Sequence, residues 1–180
     1  MTGNQIMDHA TLDALLDQLA ESLRERIAGW ESEPLLVGIH RGGVHVADAL
    51  HQRLGLFSPP GSLDIAFHRD DISTRRLNPQ VQPSQLPISL DGRAVVLIDD
   101  VLYTGRTIRA ALNELFDFGR PAQVLLVVLV DRGGRELPIQ ADLIGTRLTL
   151  ADHQHVRLES AGSGAMQLVV HSSHQAGEAG

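Results

Sequence analysis

Leu12, Leu15, Leu16, Leu19, Leu23 and Ile27 recur at spacings of three and four, with Asp, Glu, Gln and Arg between them. That period predicts an amphipathic helix of about five turns, with Asp8 or Thr11 as its N-cap. Pro34 to Ile39 is a short apolar run that ends in a Gly-rich turn at Arg41, Gly42 and Gly43, and Val44 to Leu54 reads as a second helix. Leu63 to Arg69 has the alternation of a strand with one wet face. Asp70 to Arg93 is polar, holds three Pro and one Gly, and has no helical period. So long a stretch without regular structure inside a compact domain suggests a functional flap. Ala94 to Ile98 is continuously apolar, then come two acids, a turn, and a helix from about Thr107 to Phe118. Gln123 to Val130 is another apolar run, ending in Asp131-Arg-Gly-Gly134. Leu143–Leu148, His155–Leu158 and Met166–Val170 are weaker strand candidates, and the last ten residues are small and polar.

Strands apolar on both faces and alternating with helices predict an α/β protein with a central, mainly parallel sheet covered on both sides. No internal repeat or dividing linker is present. One domain over 1–172 is therefore expected, with a hood at about 64–93 and a flexible tail at 173–180.

Composition narrows the classes of function. Fifteen Lys+Arg against 22 Asp+Glu give a net charge of −7, so any nucleic-acid role needs a local basic patch. The absence of Cys excludes disulfides and thiolate metal sites. The longest apolar run, Val124–Val130, is too short to span a bilayer, and no signal peptide pattern opens the chain. A cytoplasmic protein without a membrane partner is expected. The nine His show no paired-ligand spacing and read as surface or turn residues, His40 and His68 excepted for their place near the strand ends.

In a parallel sheet, ligands sit beyond the carboxyl ends of the strands. Three turns arrive there: 38–43, 99–107 and 131–134. The middle one carries the sharpest chemistry. Thr104, Gly105, Arg106 and Thr107 turn directly into a helix, whose free N–H groups and dipole suit a phosphate dianion. Asp99 and Asp100 just upstream have the wrong charge for phosphate. They suit the vicinal hydroxyls of a ribose and a sugar that gains positive charge during reaction. A loop holding both describes a phosphoribosyl group, and the rival phosphate motifs GxxxxGK and GxGxxG are absent.

Val95–Ile108, VVLIDDVLYTGRTI, resembles the phosphoribosyl-pyrophosphate (PRPP) signature of type I phosphoribosyltransferases. The further segments Arg109-Ala-Ala111, Arg69-Asp-Asp71, Gly119-Arg-Pro121, Leu129–Gly133 and Arg135–Pro138 are similar to the PyrR family of pyrimidine operon regulators, over about Leu12–Leu158. The resemblance implies the type I phosphoribosyltransferase fold with a flexible hood. It also implies conversion of uracil and PRPP to UMP and pyrophosphate, with Mg²⁺ brought by PRPP and no metal ligand assigned to the protein. Asp99 and Asp100 would bind the ribose of PRPP. Val101, Leu102, Tyr103, Thr104, Gly105, Arg106 and Thr107 would hold the 5′-phosphate. His40, Arg41, Gly42 and Gly43 would form the pyrophosphate loop. Arg69, Asp70 and Asp71 would start the hood, and Arg132 and Val156 would border the base. The partners implied are uracil, PRPP, UMP and pyrimidine-operon leader RNA, with a homo-oligomer (dimer or tetramer) as the assembly.

Two departures from the family pattern matter. Where the family loop reads Lys-Thr-Arg-Gly, this chain has His40-Arg-Gly-Gly43, which displaces the cation by one position. Beyond the ELPI segment, where relatives that bind messenger RNA are basic, it has Gln140, Thr146 and Asp152, with Arg147 the one cation. Arg24, Arg26 and Arg135 are the other basic candidates for an RNA face. A non-catalytic UMP/PRPP-sensing regulator is the alternative that the first departure favours. A purine phosphoribosyltransferase shares the loop but leaves Asp131-Arg-Gly133 unexplained.

Overall fold

The computed structural model describes residues 3–65, 83–162 and 165–172. Its centre is a five-stranded parallel sheet in the order β3-β2-β4-β5-β6: β2 Leu35–Ile39, β3 Gly61–Leu63, β4 Ala94–Leu102, β5 Gln123–Asp131 and β6 Leu143–Arg147. The apolar runs are apolar on both faces because both faces are covered. Along β2, β4 and β5, Leu36, Val96, Ile98, Val127 and Leu129 point to one side and pack with α1 (His9–Ile27) and α2 (Gly42–Leu54). Leu35, Val37, Val95, Leu97 and Val128 point to the other, where α3 (Arg106–Asp117) contributes Ile108, Ala111 and Leu115. The alternation of side chains along a strand thus builds two cores from three runs.

Helix α1 forms where the three-and-four spacing predicts, and the Asp8 carboxylate accepts from Thr11 N at 2.9 Å as its N-cap. Its buried stripe is Leu12, Leu16, Leu19, Ala20 and Leu23. Arg53 near the end of α2 fixes α1 in azimuth, pairing with Asp13 and, at 2.7 Å, with Asp17. Arg24 donates to the Arg53 carbonyl at 2.8 Å.

Four expectations change. The acids Asp99 and Asp100 lie inside β4, whose pairing with β5 continues through Val101↔Val130 and Leu102↔Asp131. In place of the strand expected over 63–69, the strand found is Gly61–Leu63; residues 66–69, including Arg69, lie outside the described residues, as do Asp70 and Asp71. Of the hood expected at 64–93, the part from Pro83 onward belongs to the body. Gln85 bridges Ser62, Leu90 is fully buried, and Leu86 and Ile88 pack on the second core. Finally, β7 (Gln154–Gly162) and β8 (Ala165–Ser172) leave the parallel sheet. They form an antiparallel sheet with β1 (Gly3–Met7), in the order β1-β8-β7. β1 has no strand period of its own and is mostly exposed; the free edge of β8 gives it a partner. His171 and Ser172 are paired to His155 and Gln154.

Candidate active site

The carboxyl ends of β2, β4 and β5 share one edge, and each hands the chain to a loop that touches its neighbour. β2 runs into His40, whose N–H donates to the Leu63 carbonyl at 2.8 Å, and the His40–Arg41 peptide is cis. α2 starts at once with Gly42 and Gly43. A Cβ on Gly42 would lie 2.2 Å from the Asp100 carboxylate, and one on Gly43 would lie 2.4 Å from the Ile98 carbonyl. Only hydrogen fits at these two positions, so the loop expected to hold pyrophosphate lies directly on the acid expected to hold ribose. Arg41, the displaced cation, is exposed and lines a cavity of about 610 Å³ between α1 and α2.

On β4, Asp99 is buried and its carboxylate accepts from the Asp100 N–H at 3.0 Å, while Asp100 is half-buried and faces the Gly42 turn. Val101 and Leu102 complete the strand; Tyr103 and Thr104 turn away from it. Gly105 then takes a φ of +91°, a left-handed conformation that glycine adopts without steric cost, and α3 begins. No side chain caps α3, and its first turn holds no acid. The Thr104 hydroxyl accepts from the Arg106 N–H at 3.3 Å, and the remaining first-turn donors, including Thr107, keep the dipole and N–H groups that suit an anion.

β5 delivers the third loop, and it folds over the second. Arg132 N donates to the Leu102 carbonyl at 3.1 Å, and the N–H groups of Glu136 and Leu137 both donate to the Thr104 carbonyl. Glu136 also pairs with Arg106 at 2.8 Å across exposed surface. The Arg132 guanidinium is buried, lies 3.9 Å from the centroid of the Tyr103 ring, and donates to the Gln154 carbonyl at 2.8 Å. Its Nε is buried without a protein partner. Val156 is on β7, two residues beyond Gln154, and its side chain packs in the first core with Val170 and Leu168. Its proximity to Arg132 runs through the backbone of β7; its side chain serves the core.

Asp131 closes β5. Burial alone would push its carboxyl up, but the Gly133 N–H at 2.9 Å, the Arg135 guanidinium and the charge of Arg147 outweigh that. Together they hold it below the usual carboxylate range. Arg135 was a candidate RNA contact; it is instead half-buried against Asp131. Only its four-residue spacing from Asp131 hints at this in the sequence. Among the described residues no group of three or more His, Cys, Asp or Glu could hold a metal ion.

The phosphoribosyl transferase domain family matches residues 2–161. At 55% identity over 150 residues the chain is similar to the bifunctional protein PyrR of Nitrosococcus oceani, covering 82% of this chain and 85% of that one. The PyrR of Pseudomonas aeruginosa is 51% identical over 160 residues, 88% of this chain and 94% of that one. The chain belongs to the PyrR family of type I phosphoribosyltransferases. Solved structures agree on the fold. A hypoxanthine phosphoribosyltransferase from Trypanosoma cruzi superposes with a TM-score of 0.66 at 19% identity, over 95% of this chain and 97% of that one. One from Staphylococcus aureus gives 0.62 at 18%, over 84% and 79%. The PyrR-like features of the sequence, Asp131-Arg-Gly133 and Arg135–Pro138, are those that fold over the phosphate loop.

Two outcomes test this geometry. Gly42→Ala drives a methyl into the Asp100 carboxylate and is expected to lower kcat/KM for PRPP about a hundredfold, read by steady-state UMP formation, with the folded state checked by circular dichroism. The depressed Asp131 carboxyl stabilises the fold fully above the unfolded carboxylate pKa of about 3.9, and that stabilisation is lost as pH falls through the lower folded value. Asp131→Asn therefore flattens the fall of stability below about pH 4 in urea unfolding; a curve parallel to wild type would rule the effect out.

Proposed function

We propose that the chain is a pyrimidine-responsive regulator of pyrimidine biosynthesis genes that also converts uracil and PRPP to UMP and pyrophosphate. The carrying observation is the meeting, at one sheet edge, of Asp99 and Asp100, the uncapped start of α3, and the Arg41–Gly43 turn. In this reading Asp100 and Asp99 hold the ribose hydroxyls and stabilise positive charge on the sugar as pyrophosphate leaves. Val101 to Thr107 hold the 5′-phosphate, and His40 to Gly43 hold pyrophosphate through their backbone. Arg132 borders the base with its free Nε. Arg69, Asp70 and Asp71 begin a hood that covers PRPP and keeps water out. Among the described residues no group of three or more His, Cys, Asp or Glu could hold a metal ion, and a pair of carboxylates fits Mg²⁺ held mainly by PRPP oxygens.

The turn bearing Gly42 against Asp100 supports an enzyme over a non-catalytic sensor, as does the word bifunctional in the names of relatives above 50% identity. The purine-using neighbours share the fold at under 20% identity, which does not carry their substrate to this chain. Wild type is expected to form UMP from uracil, PRPP and Mg²⁺, with Asp100→Asn about a hundredfold slower in kcat/KM. No UMP from the wild type would defeat the enzyme reading.

Regulation through leader RNA meets a weak surface. Arg135 is engaged inside the fold and Arg24 pairs with Glu21 and the Arg53 carbonyl, which leaves Arg26 and Arg147 as exposed candidates. With few cations to displace counterions, RNA affinity should be low and nearly flat in salt. A gel shift with pyrimidine-operon leader RNA at 50 and 200 mM salt checks this; tight binding that falls steeply with salt would contradict it. No helix among the described residues is long and apolar enough to cross a membrane. The working form is proposed as a cytoplasmic dimer or tetramer, to be sized by light scattering.

A further inference from the structure

Arg135 makes polar contacts to several carbonyls and a carboxylate beside the turn after β4. Nη1 donates to the Tyr103 carbonyl at 2.5 Å, and lies 3.4 Å from the Leu102 carbonyl and 3.3 Å from the Gly133 carbonyl. Nε donates to the Ile139 carbonyl at 3.0 Å, and Nη2 pairs with the Asp131 carboxylate at 2.7 Å. One planar guanidinium therefore joins three stretches of chain: the end of β4, the end of β5, and the far end of the segment that folds over the loop. A fork with five donors in fixed geometry can do this; an ammonium cannot reach all three at once.

The loop depends on outside support. Its Thr104 hydroxyl is taken by the Arg106 N–H, and α3 has no side-chain cap. Gly105 sits against Leu137 and Ile139, where an added Cβ would come within 3.4 and 3.3 Å of their Cβ atoms. Tyr103 is held between the Arg132 guanidinium on one side and Gly134, whose added Cβ would lie 2.4 Å from the ring. The contacts to Gly105 and Tyr103 come from residues 132–139, a segment that Arg135 ties to the ends of β4 and β5.

We propose that Arg135 is a positioning residue, holding the Leu102–Gly105 loop in the shape that binds a ribose 5′-phosphate. The proposal rests on the reading of 101–107 as the 5′-phosphate loop. Removing the guanidinium leaves the Tyr103 carbonyl unpaired and frees the 132–139 segment, so phosphate binding weakens while the reacting groups on β4 stay in place.

The test compares wild type, Arg135→Gln and Arg135→Lys, with Arg157→Gln as a loss of one exposed charge elsewhere, on β7. Calorimetry with UMP and with ribose 5-phosphate is expected to show both bound about tenfold more weakly by Arg135→Gln. Arg135→Lys should fall between the two, and Arg157→Gln should match wild type. The KM for PRPP should rise by the same factor with kcat within about threefold. Hydrogen exchange without ligand should quicken at the Arg132, Glu136 and Leu137 amides and stay unchanged in β4, which also shows that the variants fold. Unaltered affinity and unaltered exchange in Arg135→Gln would overturn the proposal alone. A wild type that binds neither UMP nor ribose 5-phosphate would overturn the underlying reading and the proposal with it.

Discussion

Pairing of β4 with both β2 and β5 is the interaction on which the site depends. β4 has partners on either side and cores above and below, so its apolar residues from Val95 to Ile98 have no exposed surface. Parallel neighbours carry all strand ends to one edge, where backbone groups and charges must be satisfied by loops. Asp99 continues the ladder and the pairing resumes at Val101, so both adjacent carboxylates lie within the strand and share its rigidity. A carboxylate so placed costs little further ordering when a sugar hydroxyl reaches it.

Around that strand the loops are arranged in layers rather than side by side. The start of α2 lies on Asp100 because Gly42 and Gly43 have no side chains to intervene. The segment after β5 lies on the turn after β4 through backbone hydrogen bonds to Leu102 and Thr104. Three elements distant in sequence thus form one surface of N–H donors, carboxylates and a buried guanidinium. The donors suit anions and the carboxylates suit hydroxyls.

The acidic balance of the chain fits the way its cations are used. Arg53 joins the helices, Arg132 stacks on Tyr103, Arg135 ties a loop, and Arg106 pairs with Glu136. Arg53, Arg132 and Arg135 are half-buried or buried in these contacts and the Arg106 pair is exposed, and each exploits the flat, multiply donating guanidinium.

Much of this was legible in the residues. Helix α1 follows from its leucine spacing and the Asp8 cap, the central strands from runs apolar on both faces, and the turn into α3 from Thr104–Thr107. Each is a local signal, since periodicity, capping and turn chemistry act within a few residues. The sequence by itself also determined the family, because the motifs that carry the resemblance are local too. Tertiary structure decided the remainder. β1 is a strand only because β8 has an open edge, residues 83–93 join the body only because Leu90 finds a core, and Val156 turned out to serve packing. Arg135 looked like a surface cation and became an internal tie, while Arg41 moved to a cavity wall. Such roles depend on which distant carbonyl, edge or cavity lies opposite a side chain, and a sequence read along its length holds no term for that distance.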